Sequence, residues 1–527
     1  MSVEDWLLTA WQRENRATSL PAWCVGSRAE ALIDGAGYFD RLVDEVGALQ
    51  RDDHLFFTDW RGDRDQLLRD GGPTVGQLFG AAARRGVVVR GLMWRSHLDV
   101  LQFSQEENRQ VSEEIESCGG QVLLDQRVRR GGSHHQKLVV LRHLDAPERD
   151  VAFAGGIDLC HGRRDDSVHR GDRQAVAMSK QYGPHPPWHD VQVEHRGPVV
   201  GALDTCFRER WNDPTSLVVK RPVAWLSDKA RGATLEVSPL PPQPPDPPEC
   251  GPHTVQVLRT YPKVRPAYPF APGGERSIAR GYAKAIRRAR RLIYLEDQYM
   301  WSTEIARLFA RALRDNPELH LVVVVPRYPD IDGALALPPN LVGRQQAIAV
   351  CRKAGGERVH VFDVENPEGV PVYVHAKVCV VDDVWACAGS DNFNRRSWTH
   401  DSELSCAVLD DTRDLREPRD VAGTGDGARV YARALRLRLM GEHLDRPAGD
   451  ASDLVDPRKA VQAIESSAHA LEAWHACGRH GPRPSGRLRP HKPERLHPFA
   501  RMWALPVYRA VYDPDGRPRR DRVRRRW

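Results

Sequence analysis

The sequence predicts an α/β fold made by duplication, and two observations carry that prediction. Short apolar runs alternate with helical stretches on both sides of a central break, and each side places a His-x-Lys triplet at the same point in the alternation. In the first part Val87–Trp94 is an apolar, β-branched run. A helical stretch ending near Cys118 follows, then a strand at Gln121–Leu124, then Lys137-Leu-Val-Val-Leu141. In the second part Leu319–Val325, a helical stretch ending near Ala354, Arg358–Phe362 and Lys377-Val-Cys-Val-Val381 repeat that order. Runs apolar at every position predict strands buried on both faces, hence helices on either side of a sheet.

The break is Pro239–Pro248, a proline run that can neither join a sheet nor continue a helix and reads as an extended linker. It sets the expected boundaries: an N-terminal lobe at 1–238, a linker at 239–255, a C-terminal lobe at 256–410, and a partly helical extension at 411–527. A chain of 527 residues exceeds one ordinary core, which agrees with two lobes. Glu275–Leu292 reads as a helix with apolar residues Ile278, Tyr282, Ile286 and Ala289 on one face and arginines on the other. That basic face is expected to be solvated rather than lipid-binding. The arginine-rich tail Arg517–Trp527 is expected to be disordered and available to anionic lipid or nucleic acid.

Composition narrows the class. Hydrophobic residues are 41% and charged residues 28%, with a net charge of +6, so an anionic partner is compatible but not demanded. No apolar run is long enough to span a bilayer, and the N-terminus lacks a basic segment followed by an apolar one. The ten cysteines are scattered without a Cys-x-x-Cys pair. Free thiols in a reducing compartment are expected, without a metal site. The location these features suggest is cytoplasmic, with peripheral contact to the inner face of the membrane.

The chemistry lies in the two triplets. On an extended chain residues i and i+2 share a face, so His135 projects with Lys137 and His375 with Lys377. Imidazole is accessible in both protonation states near neutral pH, and an ammonium group suits an oxygen gathering negative charge. Two such pairs supply a nucleophile and a proton donor together. They permit two-step phosphoryl transfer through a phosphohistidine with no cofactor.

His375-Ala-Lys377, Asp382 and Gly389-Ser390-x-Asn392 resemble, residue for residue, the HKD motif of the phospholipase D superfamily. His134-His-Gln-Lys137 with Gly155-Gly156-Ile-Asp158-Leu, Trp188-His-Asp190 and Tyr294–Tyr299 are also similar to its longer members. So are Leu32–Phe39 and Phe56–Trp60 to bacterial ones, and the likeness covers roughly Ala29 to Leu409. The resemblance implies a pseudo-twofold α-β-α sandwich with both motifs at one site. It implies His135 as nucleophile and His375 as general acid, then base. Lys137, Lys377 and Asn392 would hold phosphoryl oxygens, with Ser390, Gly156 and Asp158 lining the substrate. Asp382 belongs to the motif, and Glu403 and Asp165 stand where carboxylates orient the histidines. Three departures are visible: Arg142 where the second half has Asp382, Asp158 where it has Asn392, and Asp297 where asparagine is more usual.

The leading expectation is a phospholipase D that releases phosphatidic acid and a head group, with transphosphatidylation onto alcohols. A cardiolipin synthase-type phosphatidyltransferase is the runner-up. A nucleic-acid phosphodiesterase is disfavoured by the presence of two motifs in one chain, and a non-catalytic lipid-binding scaffold by the retention of all four motif residues. A monomer is plausible, since one chain carries both motifs. Trp188, Tyr299 and Trp301 offer a possible cation-π seat for choline or are packing residues.

Overall fold

The computed structural model describes every residue except 1, 97–104, 218–236, 334, 448, 493, 495 and 525. A 16-stranded sheet runs through both halves. The first half contributes β1 (Cys24–Ile33), β2 (His54–Asp59), β3 (Val88–Trp94), β4 (Gln121–Asp125), β5 (Leu138–Arg142), β6 (Val151–Gly155) and β8 (Val191–Arg196). The two-residue strand β7 (Trp188–His189) lies off this sheet. The second half contributes β9 (His253–Tyr261), β10 (Glu275–Arg276), β11 (Leu292–Glu296), β12 (His320–Val324) and β13 (Val359–Val364). After β14 (Tyr373–Val374) come β15 (Val378–Val381), β16 (Trp385–Gly389), β17 (Glu403–Asp410) and β18 (Leu488–Pro490).

Read outward from the centre, the halves have one order. The first runs β1-β8-β6-β5-β2-β3-β4, and the second runs β9-β17-β16-β15-β11-β12-β13. The antiparallel pairing of β1 with β9 joins them at the middle. In each half three strands are parallel, β2-β3-β4 and β11-β12-β13. Helices cover both faces, which is why these strands are largely buried and mostly apolar rather than alternating. Gly35–Gly47 and Val75–Arg84 pack on one face of the first half and Val199–Trp211 on the other. Ser277–Arg288 and Thr303–Asp315 face Val430–His443 and Pro457–Ala476 across the second. The duplicated α-β-α sandwich expected from the sequence is the fold observed.

Three segments differ from expectation. The proline run is extended but clamped: the carbonyls of Pro241, Pro244 and Pro245 accept from Arg208 and Arg142, and Ser238 O accepts from Trp211. The basic helix face is partly covered rather than wholly solvated, with Arg287 still exposed. The N-terminal residues and the tail lie over it, with Lys284 donating to Glu4 O and Leu7 O and Arg280 donating to Trp527 O. The tail is anchored at a few points for the same reason, while Arg519, Arg520, Arg522 and Val523 stay exposed. Arg276 pairs with Asp521 at 2.8 Å, and Trp527 meets the buried Trp398 edge-on. Charge complementarity and one indole outweigh the local arginine density that suggested disorder.

Candidate active site

Both His-x-Lys triplets enter the sheet at one end. β5 and β15 run antiparallel to β2 and β11, with Leu138 opposite Thr58 and Val378 opposite Glu296, so the triplets lie where those neighbours finish. Short cross-links then tie each triplet to the other half. β14 pairs with β7, and the His375 N–H donates to His189 O at 2.7 Å. Symmetrically, His134 bridges to Ser402, and the His135 N–H donates to Ser402 O at 2.9 Å.

The residue after each of those accepting carbonyls is a carboxylate, and it holds the histidine ring. His135 Nδ1 lies 3.0 Å from Glu403 Oε2, and His375 Nδ1 lies 2.6 Å from Asp190 Oδ2. Both carboxylates are buried. Binding at Nδ1 leaves Nε2 as the working nitrogen of each ring. Each half therefore supplies one histidine and the carboxylate for the other half's histidine. His135 is the more open, its side chain 15% exposed against 5% for His375.

The lysines differ in company. Lys137 Nζ lies 3.2 Å from Asp158 Oδ1, donates to His135 O and sits 5.9 Å above the Trp60 ring. Lys377 donates to His375 O and to Gln298 Oε1, a neutral amide. Gln298 is itself fixed by donating to Tyr373 Oη at 2.8 Å. Burial pulls the Lys377 ammonium down to about 8, against the attraction of Asp190 and Asp297. Burial, with the neighbouring cations Lys377 and Arg163, holds His375 well below the usual histidine range, so its resting state is neutral. Asp158 stays ionised: burial opposes this, but Lys137 and Arg163 outweigh it. Its neighbour Asp59 is driven well upward by burial and by Asp158.

Asp59 and Asp297 are counterparts. Asp59 accepts from the N–H of Leu159, just after Asp158, and Asp297 from that of Phe393, just after Asn392. Each anchors the turn that carries a polar side chain, Asp158 beside Lys137 in the first half and Asn392 in the second. The aspartate at 297, unusual by the family pattern, thus serves a turn that needs an acceptor. Asn392 Oδ1 is buried without a hydrogen-bond partner, which leaves that amide oxygen unused by the protein.

Several expected site residues have other roles. Asp165 orients neither His135 nor His375; the histidine it approaches is His169, at 3.9 Å. It accepts from the N–H groups of Asp166, Gly171 and Trp188, stapling its own loop to the strand before Asp190. Asp190 takes the expected place because it, like Glu403, leads into the strand beside the duplicated His-x-Lys hairpin. Asp382 stands at the far end of β15 from His375. Its carboxylate accepts three backbone N–H groups from Arg290, Arg291 and Leu292, so it secures a turn and reaches no substrate. Ser390 Oγ donates to Glu403 at 2.5 Å and accepts from Leu404 N, committing the hydroxyl to the carboxylate. Gly156 gives room rather than contact, since a Cβ there would lie 2.1 Å from Asp190 Oδ1. Its N–H is taken by Val191 O.

Arg142, the other departure, is buried and pairs with Asp150 at 2.6 Å and Asp204 at 3.1 Å. Asp150 lies in the loop between β5 and β6, eight residues on from Arg142. Near the same turn Asp53 accepts from Leu144 N, so here the carboxylate comes from the β2 side. The aromatic seat is also filled. Arg163 lies 3.9 Å over Trp188, while Tyr299 stacks on Trp301 at 4.1 Å.

Asp190, Gln298, Asp59, Trp60 and Arg163 received no role from sequence. Aligning the strands that follow each motif would have found Asp190 opposite Glu403. The others are contacts made only by folding. Among the described residues, Asp34, His169, His189 and Glu442 have ligand atoms within 4.8 Å of one another, as do His189, Glu296 and His443. Two imidazoles and two carboxylates are a donor set that suits a divalent cation. The same atoms also satisfy one another as ion pairs: burial opposes charge on His189, yet Glu296, Asp34 and Glu442 hold its pKa well above the usual range.

The fold and site define a class: a twofold-repeated α/β protein with paired imidazole-ammonium groups meeting between the halves. The family described as Phospholipase D matches residues 62–231, and the family described as Cardiolipin synthase, PLD-like domain, matches residues 282–417. The chain belongs to the phospholipase D superfamily. It is 25% identical to phospholipase D alpha 1 of Cynara cardunculus over 72% of this chain and 60% of that one. It is 25% identical to phospholipase D alpha 2 of Oryza sativa subsp. japonica, over 78% and 65%. The chain thus spans somewhat under two thirds of the length of these relatives. A solved phosphatidylserine synthase from Haemophilus influenzae Rd KW20 aligns at 12% identity and a TM-score of 0.48, over 72% of this chain and 82% of that one. No described helix is long and apolar enough to cross a membrane.

Proposed function

We propose that the chain is a phosphodiesterase and phosphatidyltransferase that acts on glycerophospholipids through a phosphohistidine at His135. The observation that carries this reading is the reciprocal pairing of each motif histidine with a carboxylate from the opposite half. With Glu403 on Nδ1, His135 Nε2 attacks phosphorus as the bond from phosphorus to the head-group oxygen breaks. His375 Nε2–H gives its proton to that oxygen. The neutral resting state of His375 is compatible with this role. A bound phosphodiester anion between the lysines offsets their repulsion and raises the affinity of His375 for a proton. In the second step His375 takes a proton from water, or from an alcohol, as its oxygen attacks phosphorus and the P–N bond breaks. Lys137, Lys377 and Asn392 hold the non-bridging oxygens.

The lipid assignment rests on the likeness to proteins named phospholipase D alpha, carried over two thirds or more of this chain. A synthase-type transfer to a lipid hydroxyl is the second reading, favoured by the cardiolipin synthase description of the family matched at 282–417. One assay separates them: purified protein with labelled phosphatidylcholine, phosphatidylethanolamine or phosphatidylglycerol, with and without ethanol. Phosphatidic acid, and phosphatidylethanol when ethanol is present, support the first reading, whereas cardiolipin from phosphatidylglycerol supports the second. His135→Ala and His375→Ala are each expected to lower turnover by at least about a thousandfold. No turnover of any lipid, or retained turnover in both variants, overturns the assignment.

A further inference from the structure

Large apolar side chains are exposed on segments that pack against the Lys377 half-site. Helix Pro498–Val507 and the turn after it lie against Leu337–Gly355, with Ala504, Tyr508, Val342 and Trp301 in one cluster. Tyr508 Oη accepts from Ser302 N, and Trp301 stacks on Tyr299, whose hydroxyl accepts from Gln298 beside Lys377. This C-terminal segment is therefore built onto the wall of the Lys377 half-site. Its inner face is buried, but its outer face carries Phe499, Met502 and Val511, each at least 60% exposed. The neighbouring loop before Leu337 adds Ile331 and Leu335, the latter 78% exposed. That loop is linked to the first half, since Asp330 O accepts from Ser179 N and Asp332 from Ser179 Oγ. On the first-half side of this link Val176 is also exposed.

Scattered exposed apolar residues need no explanation, but a cluster of this size on one rim does. Cations are interleaved with it: Arg501 and Arg509 on the C-terminal segment, and Arg173 and Lys180 on the first-half loop, are all exposed. Apolar side chains flanked by guanidinium and ammonium groups match a bilayer interface, where acyl chains lie beneath anionic head groups. We propose that this rim, centred on Phe499, Met502 and Val511, docks the protein on an anionic lipid bilayer and so presents lipid head groups to the paired histidines. The docking surface rests on the lipid-directed reading above, but it is tested by binding as well as by turnover.

The test uses the full chain with sedimenting vesicles of phosphatidylcholine alone or with 30% phosphatidylglycerol. Wild type is expected to co-sediment with the mixed vesicles at low salt and to be released as salt rises, in line with charge screening. The triple variant F499E/M502E/V511E is expected to bind at least about tenfold more weakly and to lose vesicle turnover in proportion. Its hydrolysis of bis(p-nitrophenyl) phosphate, a soluble diester without acyl chains, is expected to stay within about twofold of wild type, which also reports that the variant is folded. The variant R501E/R509E is expected to lose binding to the mixed vesicles selectively. Wild-type binding retained by the triple variant, or no wild-type binding to anionic vesicles, overturns the docking surface. So does self-association of the wild type that the triple variant abolishes while vesicle binding is unchanged. If vesicles bind but neither lipid nor soluble diester is turned over, the proposed catalytic reading fails and the docking surface stands.

Discussion

The two half-sites share a backbone plan and differ in charge. Each has a lysine that turns back to the carbonyl of its own histidine, and an acid that anchors the turn ahead of it. In the first half the lysine is met by the ionised Asp158 and covered by Trp60; in the second it meets the amide of Gln298, and the free amide oxygen of Asn392 lies on the counterpart turn. The first half is close to neutral and its histidine is more open. In the second, the Lys377 pKa is lowered by burial against the attraction of Asp190 and Asp297, and the histidine is kept neutral by burial and its neighbouring cations. Equivalent positions have thus been given unequal tasks. The open ring suits attack on phosphorus, and the enclosed ring beside a buried lysine suits a proton transfer that begins once an anion has bound.

The reciprocal carboxylates give the largest expected effect on that comparison. Asp190→Asn and Glu403→Gln keep shape but remove the charge that fixes each ring, and each is expected to lower kcat by about a hundredfold or more with KM little changed. The sharper readout is which step suffers. Glu403→Gln should slow formation of the phosphohistidine in rapid-quench labelling, because His135 belongs to the other half. If Glu403→Gln leaves the labelling rate intact, the crossed pairing has no chemical role.

The difference between the lysines predicts a pH effect of intermediate size. The Lys377 ammonium, lowered to about 8, discharges as pH rises through that value, so kcat/KM is expected to fall on an alkaline limb near pH 8. In Lys377→Arg the guanidinium stays charged, and the limb should move up by more than one pH unit whatever the loss in absolute rate. A limb that does not move assigns it to another group.

The smallest effect on activity is expected at Asp382. Asp382→Ala leaves three backbone N–H groups without their acceptor, which costs about 1–3 kcal/mol of stability. The melting temperature should drop while kcat stays within about threefold of wild type. A hundredfold loss of kcat in a folded variant returns Asp382 to the chemistry.

Local pattern was legible in the sequence, and so was everything that depends on a residue's near neighbours. The apolar runs marked two of the three parallel strands in each half, and the triplets marked the ends of β5 and β15. Partners distant in sequence were not legible. Asp190 reaches a histidine 185 positions away, and its own Trp-His-Asp context does not say which histidine it will meet. Arg142 looked like a lost aspartate, because its acceptors, Asp204 and the proline carbonyls, come from a helix and a strap that only folding brings near. The tail looked disordered because its pairing groups, Glu304, Arg276 and Trp398, lie more than a hundred residues upstream.

Crossed carboxylates also constrain how such a chain can change. A duplicated gene ordinarily leaves one copy free to drift while the other carries the work. Here a substitution at Asp190 is felt by the ring at 375, and one at Glu403 by the ring at 135, so a lesion in either copy is inherited by its twin. The two halves are locked together less by the peptide that joins them than by what each lacks.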